Sequence, residues 1–291
     1  MALGAAYAGA KTMVGTSGGG FALMTEALSL AGQGELPMVI VEAQRPGPST
    51  GVPTYTMQGD LAFVVHAGHG EFSKVVLAPG DAEEAFYTTG LAVNLAWQFQ
   101  IPAFVLSEKH LSERIFSFEA DLDKVKPENP LLWNEQGEYK RYLDTPNGIS
   151  PLAFPGNPSA IVKATSYEHD ESGIATEEAE VIARMQRKRL RKRKALEDAL
   201  KTHETVKVYG NPDATTVLLC WGSTKGACIE VADTLNLKVV QPLIMEPLPV
   251  EINPNNAFAH LWLSGTLLPD LVAARSALQQ AYAVDPLSPV I

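Results

Sequence analysis

The first hundred residues alternate between short uncharged runs rich in β-branched side chains and longer stretches with apolar residues at helical spacing. Residues 11–16 read as a strand, 17–20 (Ser-Gly-Gly-Gly) as a turn, and 21–32 as a helix with Phe21, Leu23, Met24, Leu28 and Ala31 on its apolar side. Residues 37–43 form the next strand, 60–67 a short helix and 74–78 another strand. Asp81 is placed to cap a helix that runs to about Gln98, with Glu83 and Glu84 in the first turn, where the helix dipole favours anions. Residues 102–107 close the series. Such alternation predicts an α/β fold: a parallel sheet with helices on both faces.

Between residues 107 and 171 the periodicity dissolves into prolines, glycines and aromatics, including Tyr139, Tyr142, Pro146, Pro151, Pro155 and Pro158. This stretch reads as an extended connector. A helix over 176–200 follows, with acids at Glu177, Glu178 and Glu180 and then a basic run through Arg184, Arg187, Lys188, Arg189, Arg191, Lys192, Arg193 and Lys194. No aromatics interleave the bases, so the run reads as a solvated interdomain spacer and not as a nucleic-acid surface. Strands over 206–209 and 215–221, a helix from Gly222 through Ala232 and a strand over 237–241 begin a second, smaller α/β unit. The pattern then changes. Residues 251–291 carry Asn253-Pro254 and Asp285-Pro286 about one tetratricopeptide length of 34 residues apart, around two apolar helical segments. The expected units are 1–120, 121–204, 205–250 and 251–291. The tail is expected to be a junction artefact, a piece of a longer protein or a helical substitute for further strands, and a chimeric or truncated reading frame is the favoured account.

Composition narrows the class. With 291 residues, 46% hydrophobic and 19% charged, the chain can bury a sizeable core. No apolar stretch approaches the roughly 20 residues a membrane helix needs, and the start lacks the basic front of a signal peptide, so a cytoplasmic address is expected. A formal charge of −10 argues against general affinity for nucleic acid. The two cysteines, Cys220 and Cys228, fall short of the about four thiolates an iron–sulfur cluster needs. His66 and His69 lie three apart, as metal ligands can, but no carboxylate or cysteine completes a set and no metal site is assigned.

The chemistry concentrates after the second strand. The apolar run from Val39 gives way to Glu42, Gln44 and Arg45, so polarity returns where the strand should leave the core. Arg45 opens a loop in which Pro46, Pro48 and Pro53 restrain the backbone, Gly47 and Gly51 permit tight turns, and Ser49, Thr50 and Thr54 supply hydroxyls. Open α/β sheets bind ligands outside the carboxyl ends of their strands, and arginine offers a planar fork to a carboxylate or phosphate. The segment fits either an anion site of that kind or an ordinary strand-to-helix turn with an exposed arginine. The Thr16–Gly20 loop could pass for a phosphate nest, but it lacks a Walker lysine and a GxGxxG pattern, and close helix packing accounts for it better.

These residues also carry a resemblance. Gln44 to Thr54, followed by Gln58-Gly59-Asp60, resembles the Gln-Arg-x-Gly-Pro-Ser/Ala-Thr-Gly-x-Pro-Thr loop and Gln-Gly-Asp of the α subunit of 2-oxoacid:ferredoxin oxidoreductases. The similarity extends through Tyr7-Ala-Gly-Ala-Lys-Thr-Met, Thr16-Ser-Gly, His69-Gly-Glu, Leu77-Ala-Pro-Gly-Asp, Tyr139-Lys-Arg-Tyr, Gly148-Ile-Ser-Pro, Glu168-His-Asp-Glu and Trp221-Gly-Ser-Thr-Lys-Gly. It implies a thiamine-diphosphate enzyme that oxidatively decarboxylates a 2-oxoacid, forms an acyl-coenzyme A and passes electrons to ferredoxin. Residues 1–120 would be the pyrimidine-binding domain, 121–204 a connector, and 205–250 part of a transketolase-C-terminal-like domain. An iron–sulfur β subunit would supply the magnesium, the diphosphate-binding half of the site and the cluster. By match to the family loop, Arg45 would hold the substrate carboxylate and Thr50 would lie against substrate or cofactor, with Thr16, Ser17, Gly18 and Ser49 near the cofactor.

The family's activating carboxylate precedes the equivalent of Ala5, so no catalytic residue is assigned here, and neither Glu26 nor Glu35 can take the role. The chain is therefore expected to be N-terminally truncated and incompetent on its own. Two other readings compete: a transketolase or dehydrogenase-E1 type of thiamine enzyme, which lacks the Arg45 loop, and a non-enzymatic scaffold that binds partners through its tail. The Gln-Arg-Pro-Gly-Pro spelling looks most like the 2-oxoglutarate branch, with pyruvate and branched-chain 2-oxoacids open.

Overall fold

The computed structural model describes residues 1–249, of which Met1–Pro247 form one compact unit; the expected helical tail over 251–291 lies outside the described residues. In chain order the elements are α1 (Ala2–Tyr7), β1 (Met13–Thr16), α2 (Gly18–Ala22), α3 (Thr25–Gln33), β2 (Met38–Gln44), α4 (Leu61–His66), β3 (Val75–Leu77), α5 (Ala82–Phe99), β4 (Pro102–Glu108) and α6 (Lys109–Glu113). They continue with α7 (Ala179–Leu200), β5 (Val206–Gly210), β6 (Val217–Leu219), α8 (Lys225–Leu235), β7 (Lys238–Pro242) and β8 (Ile244–Glu246). Among the described residues the main sheet has the order β1-β2-β4-β3-β8. Its first four strands are parallel, as uninterrupted apolar runs such as Met38-Val-Ile-Val and Pro102-Ala-Phe-Val-Leu require when both faces are covered. All seven residues of β4 are buried.

Local signals explain several boundaries. The Asp81 carboxylate accepts a hydrogen bond from the Glu84 backbone N–H at 2.8 Å and starts α5. The same helix stops at Gln100, which adopts a left-handed φ of 53°. Two expectations fail at the other end of the chain. The Ser-Gly-Gly-Gly stretch is not a turn: Gly18–Ala22 are already helical, and a break at Leu23 and Met24 separates them from α3. That break turns Leu23 into solvent, 89% exposed, and off the apolar side predicted for it.

The basic helix corrects the sequence reading most. α7 is not a solvated spacer: Lys188, Arg189 and Lys192 are buried on the same face as Met185, Leu196 and Leu200, at the spacing of one helical stripe. Lys188 and Lys192 close on Glu35 at 2.7 and 2.5 Å, in the turn before β2. Lys192 also donates to the Gln100 carbonyl at 3.1 Å, so it satisfies the C-terminal end of α5. Burial alone would raise the Glu35 carboxyl, but Lys188, Lys192 and Arg141 together overturn this and hold it well below the usual carboxylate range. Burial brings Lys192 down to about 7, against the pull of Glu35.

The connector has little regular structure yet packs on the core. Arg141 donates to the Glu35 carbonyl at 2.7 Å and to the Gln100 side chain at 3.2 Å. Tyr142 lies against His169, with ring centroids 3.8 Å apart. Gly148 has φ 78°, and a Cβ there would run into the Lys188 carbonyl, so the connector approaches α7 as only glycine allows.

The smaller sheet has the order β5-β7-β6, with β5 antiparallel and β6 parallel to β7. It is joined to the core by Glu84, which accepts from Lys225 (2.6 Å), Gly80 N–H (2.7 Å), Gln241 (2.8 Å) and Lys207 (3.1 Å). The chain then returns: β8 pairs antiparallel with β3 in the main sheet, where the sequence reading had only a continuation of the second unit.

Removing the Glu35 carboxylate leaves two buried lysines and Arg141 without their counter-charge. Glu35→Ala is expected to destabilise the protein by about 3–5 kcal/mol. Urea unfolding would show this, and an unchanged midpoint would mean that the cluster does not hold α7 in place.

Candidate functional site

The site lies at the carboxyl ends of β1, β2 and β4. Register sets Thr16 beside Glu42, Glu42 beside Leu106, and Gln44 beside Glu108. Polarity does return along β2, as its sequence suggests, but not to solvent: Glu42 is 0% and Gln44 1% exposed. Gln44 uses both ends of its amide, donating to the Ser107 carbonyl at 3.3 Å and accepting from the Asp60 N–H at 3.1 Å. It thereby fixes the far end of the Arg45 loop to the sheet.

A second tie comes from Gln58, which donates to the Trp221 carbonyl at 2.7 Å and to Glu108 at 3.2 Å. Glu108 also accepts from the Ser223 N–H at 2.6 Å. The 3-10 turn at Gly222–Thr224 is thus locked against β4. Gly222 has φ 61°, and a Cβ on it would lie 2.5 Å from the Gln58 amide. Within the loop, Val52 N–H reaches the Pro46 carbonyl at 3.0 Å. Gly51 has φ 51°, and a side chain there would collide with that carbonyl. Lys109 donates to the Thr54 carbonyl from α6.

Crowding explains Gly18 and Gly20, whereas Gly19 has room for a side-chain carbon in ordinary contact. A Cβ on Gly18 would sit 3.2 Å from the Asp60 carboxylate, one on Gly19 would lie 3.5 Å from the Ser49 carbonyl, and one on Gly20 would collide with the Thr16 hydroxyl. α2 therefore packs with its bare backbone against the Arg45 loop. Ser17 stands at the N-cap of α2 without a side-chain capping bond. Ser49 takes a left-handed φ of 56°. Thr50 is exposed on the crown of the loop. The structure thus brings Gly18 and Arg45 to Asp60, sets the Ser49 carbonyl against Gly19 and Thr16 beside Glu42, and leaves Thr50 exposed.

Arg45 is half-buried, and its Nε has no hydrogen-bond partner. Both oxygens of Glu42 and one of Asp60 are likewise buried without partners. Burial, reinforced by the nearby Asp60 and opposed by Arg45, pushes the Glu42 carboxyl up to about 8. Burial also raises Asp60, against the pull of the Arg45 backbone and guanidinium. Glu42, Gln44, Asp60 and Glu108 were not assigned a role from the sequence. The one signal was a glutamate standing inside an otherwise apolar strand. Among the described residues no cluster of three or more His, Cys, Asp or Glu is arranged for a metal ion, and no helix is long and apolar enough to cross a membrane.

Residues 1–188 match the family described as pyruvate flavodoxin/ferredoxin oxidoreductase, thiamine diphosphate-binding. The chain belongs to this family. The α subunit of 2-oxoacid:ferredoxin oxidoreductase 1 from Sulfurisphaera tokodaii is 40% identical over 256 residues, which is 86% of this chain and 40% of that protein. The KorA subunit of 2-oxoglutarate synthase from Methanocaldococcus jannaschii is 32% identical over 225 residues, 76% of this chain and 58% of that one. A solved structure of 2-oxoglutarate:ferredoxin oxidoreductase from Magnetococcus marinus, with 2-oxoglutarate, coenzyme A and succinyl-CoA bound, superposes with a TM-score of 0.78 at 36% identity. It covers 86% of this chain and 44% of that chain. The chain therefore spans well under two thirds of these relatives.

Within the thiamine-diphosphate family fold, the Arg45 loop owes its shape to Gly51. Gly51→Ala is expected to open the turn at a local cost of about 1–3 kcal/mol. Limited proteolysis between residues 46 and 57 should then run faster than in Gly47→Ala, where an added Cβ meets nothing within 4 Å. Equal cleavage of the two variants would contradict this account.

Proposed function

We propose that this chain belongs to the α subunit of a 2-oxoacid:ferredoxin oxidoreductase that, with coenzyme A, converts a 2-oxoacid to its acyl-coenzyme A and delivers the electrons to ferredoxin. The observation that carries the reading is Arg45: a guanidinium with an unpaired, buried Nε at the carboxyl end of a central parallel strand. A 2-oxoacid presents a carboxylate, and arginine can hold it in one orientation by two parallel hydrogen bonds. The relatives support 2-oxoglutarate as the substrate, since two of them carry it in their names.

Thiamine diphosphate supplies, when bound, the electron sink that decarboxylation requires. The residues present fit its pyrimidine half. What supports this is the bare backbone at the start of α2, with Gly18 close to the Asp60 carboxylate and Gly19 to the Ser49 carbonyl; Thr16, Ser17, Gly18 and Ser49 would hold the ring. Thr50 would reach substrate only from the exposed crown of the loop. A partner β subunit would bring the diphosphate-binding half, magnesium and the iron–sulfur cluster, for which Cys220 and Cys228 are too few.

The units proposed for this enzyme remain 1–120 for pyrimidine binding, 121–204 as connector and 205–250 as the transketolase-like part. The separate β5-β7-β6 sheet supports the last of these. A cytoplasmic location goes with the ferredoxin acceptor.

In the complex with its β subunit, Arg45→Ala is expected to lower kcat/KM for 2-oxoglutarate by about 100-fold or more, on the order of 2.7 kcal/mol. Arg45→Lys should recover only part of that, because an ammonium lacks the fork. Wild-type kcat/KM in Arg45→Ala would rule out the carboxylate clamp.

A further inference from the structure

Beneath the proposed clamp lies an arrangement that substrate binding alone does not require. Glu42 sits in the middle of the sheet with 0% exposure, and neither of its carboxyl oxygens has a hydrogen-bond partner. A buried carboxylate in that condition would lack both solvation and a bonded counter-ion, which is the most costly state a side chain can adopt. Its neighbours in register, Thr16 on β1 and Leu106 on β4, carry no charge, and α2 is Gly-Gly-Gly-Phe-Ala.

The charged groups that act on Glu42 are Asp60 and Arg45. The other charges on elements packed against β2 are engaged elsewhere: Glu108 of β4 with Gln58 and the Ser223 N–H, Lys109 of α6 with the Thr54 carbonyl and Glu113, and Glu84 of α5 with Lys225, Lys207 and Gln241. Asp60 has one buried oxygen without a partner and feels the same guanidinium. A fully buried carboxyl thus lies beside a half-buried carboxyl and a half-buried arginine.

We infer that the Glu42 carboxyl retains a proton at neutral pH and so keeps Arg45 electrostatically available to the carboxylate of a 2-oxoacid. This rests on the reading of Arg45 as the substrate clamp. With that proton in place, the three groups together are neutral and an incoming carboxylate gains the guanidinium. Without it, two carboxylates outweigh one guanidinium, and the three together repel an anion. Glu42 is a positioning residue in this scheme: it touches no reacting atom and acts through the charge that Arg45 presents. The burial that pushes its carboxyl to about 8 agrees with a proton retained at neutral pH and released above it.

The test uses the assembled α/β enzyme with 2-oxoglutarate. The KM measured at pH 9 should exceed that at pH 7 by about tenfold, the consequence of one proton lost with a midpoint near 8. In Glu42→Gln, which cannot ionise, the same ratio should stay within about twofold. An undiminished ratio in Glu42→Gln, or no rise in the wild type, would overturn the inference.

The clamp itself is judged separately. Arg45→Lys should raise KM at both pH values; if it does not, the substrate reading fails. Protonation of Glu42 is then still decided by pH-difference infrared spectroscopy of the substrate-free complex. A protonated-carboxyl band that disappears between pH 7 and 9, and is missing from Glu42→Gln, supports the proton on Glu42. Absence of that band in the wild type refutes it.

Discussion

The burial of Glu35 between Lys188 and Lys192 governs how the rest of this chain is arranged. A carboxylate withdrawn from water loses several kcal/mol of hydration, and only close, well-bonded cations offset that loss. Here the cations come from a helix more than 150 residues away in sequence, at 2.7 and 2.5 Å. The pairing presses α7 onto the turn that starts β2. Arg141 adds hydrogen bonds to the carbonyls of Gly34 and Glu35, so the irregular connector is tied to the same point. With its entry fixed, β2 delivers Arg45 to a fixed place at the other end of the sheet.

Three buried carboxyl groups meet the same physical problem in three ways. Glu35 stays ionised because lysines surround it. Glu84 stays ionised because it gathers a backbone N–H, an amide and two lysines, and in doing so joins the two sheets. Glu42 has neither, and burial favours its neutral form. The first two answers stabilise structure. The third lies beside Arg45, the proposed clamp for the substrate carboxylate.

The short segments that carry the family resemblance divide along the same line. Tyr139-Lys-Arg-Tyr and Glu168-His-Asp-Glu serve the connector: Glu168 pairs with Arg189 at 2.6 Å, and Glu171 accepts from Lys140 and from the Asp144 N–H. Trp221-Gly-Ser-Thr-Lys-Gly attaches the smaller sheet through Gln58, Glu108 and Glu84. The Thr16-Ser-Gly, Gln44–Thr54 and Gln58-Gly-Asp segments lie at the carboxyl ends of β1 and β2, where Trp221-Gly-Ser also reaches Gln58 and Glu108. Most of the recognisable sequence therefore builds the platform, and a minority faces the site.

The sequence by itself determined what rests on local interactions. Uncharged β-branched runs require strands covered on both faces, and Asp81 announces the start of α5. The Pro, Gly and hydroxyl residues after Arg45 announce a restrained loop. Tertiary structure alone decided the fate of the charges. A basic helix looks the same in sequence whether it is solvated or buried; the difference lies in Glu35, whose distance along the chain hides the pairing. The break at Leu23, the return of β8 to the main sheet and the burial of Glu42 were hidden for the same reason. Each depends on which surfaces meet in space, and desolvation acts on a group through neighbours that a one-dimensional pattern does not reveal.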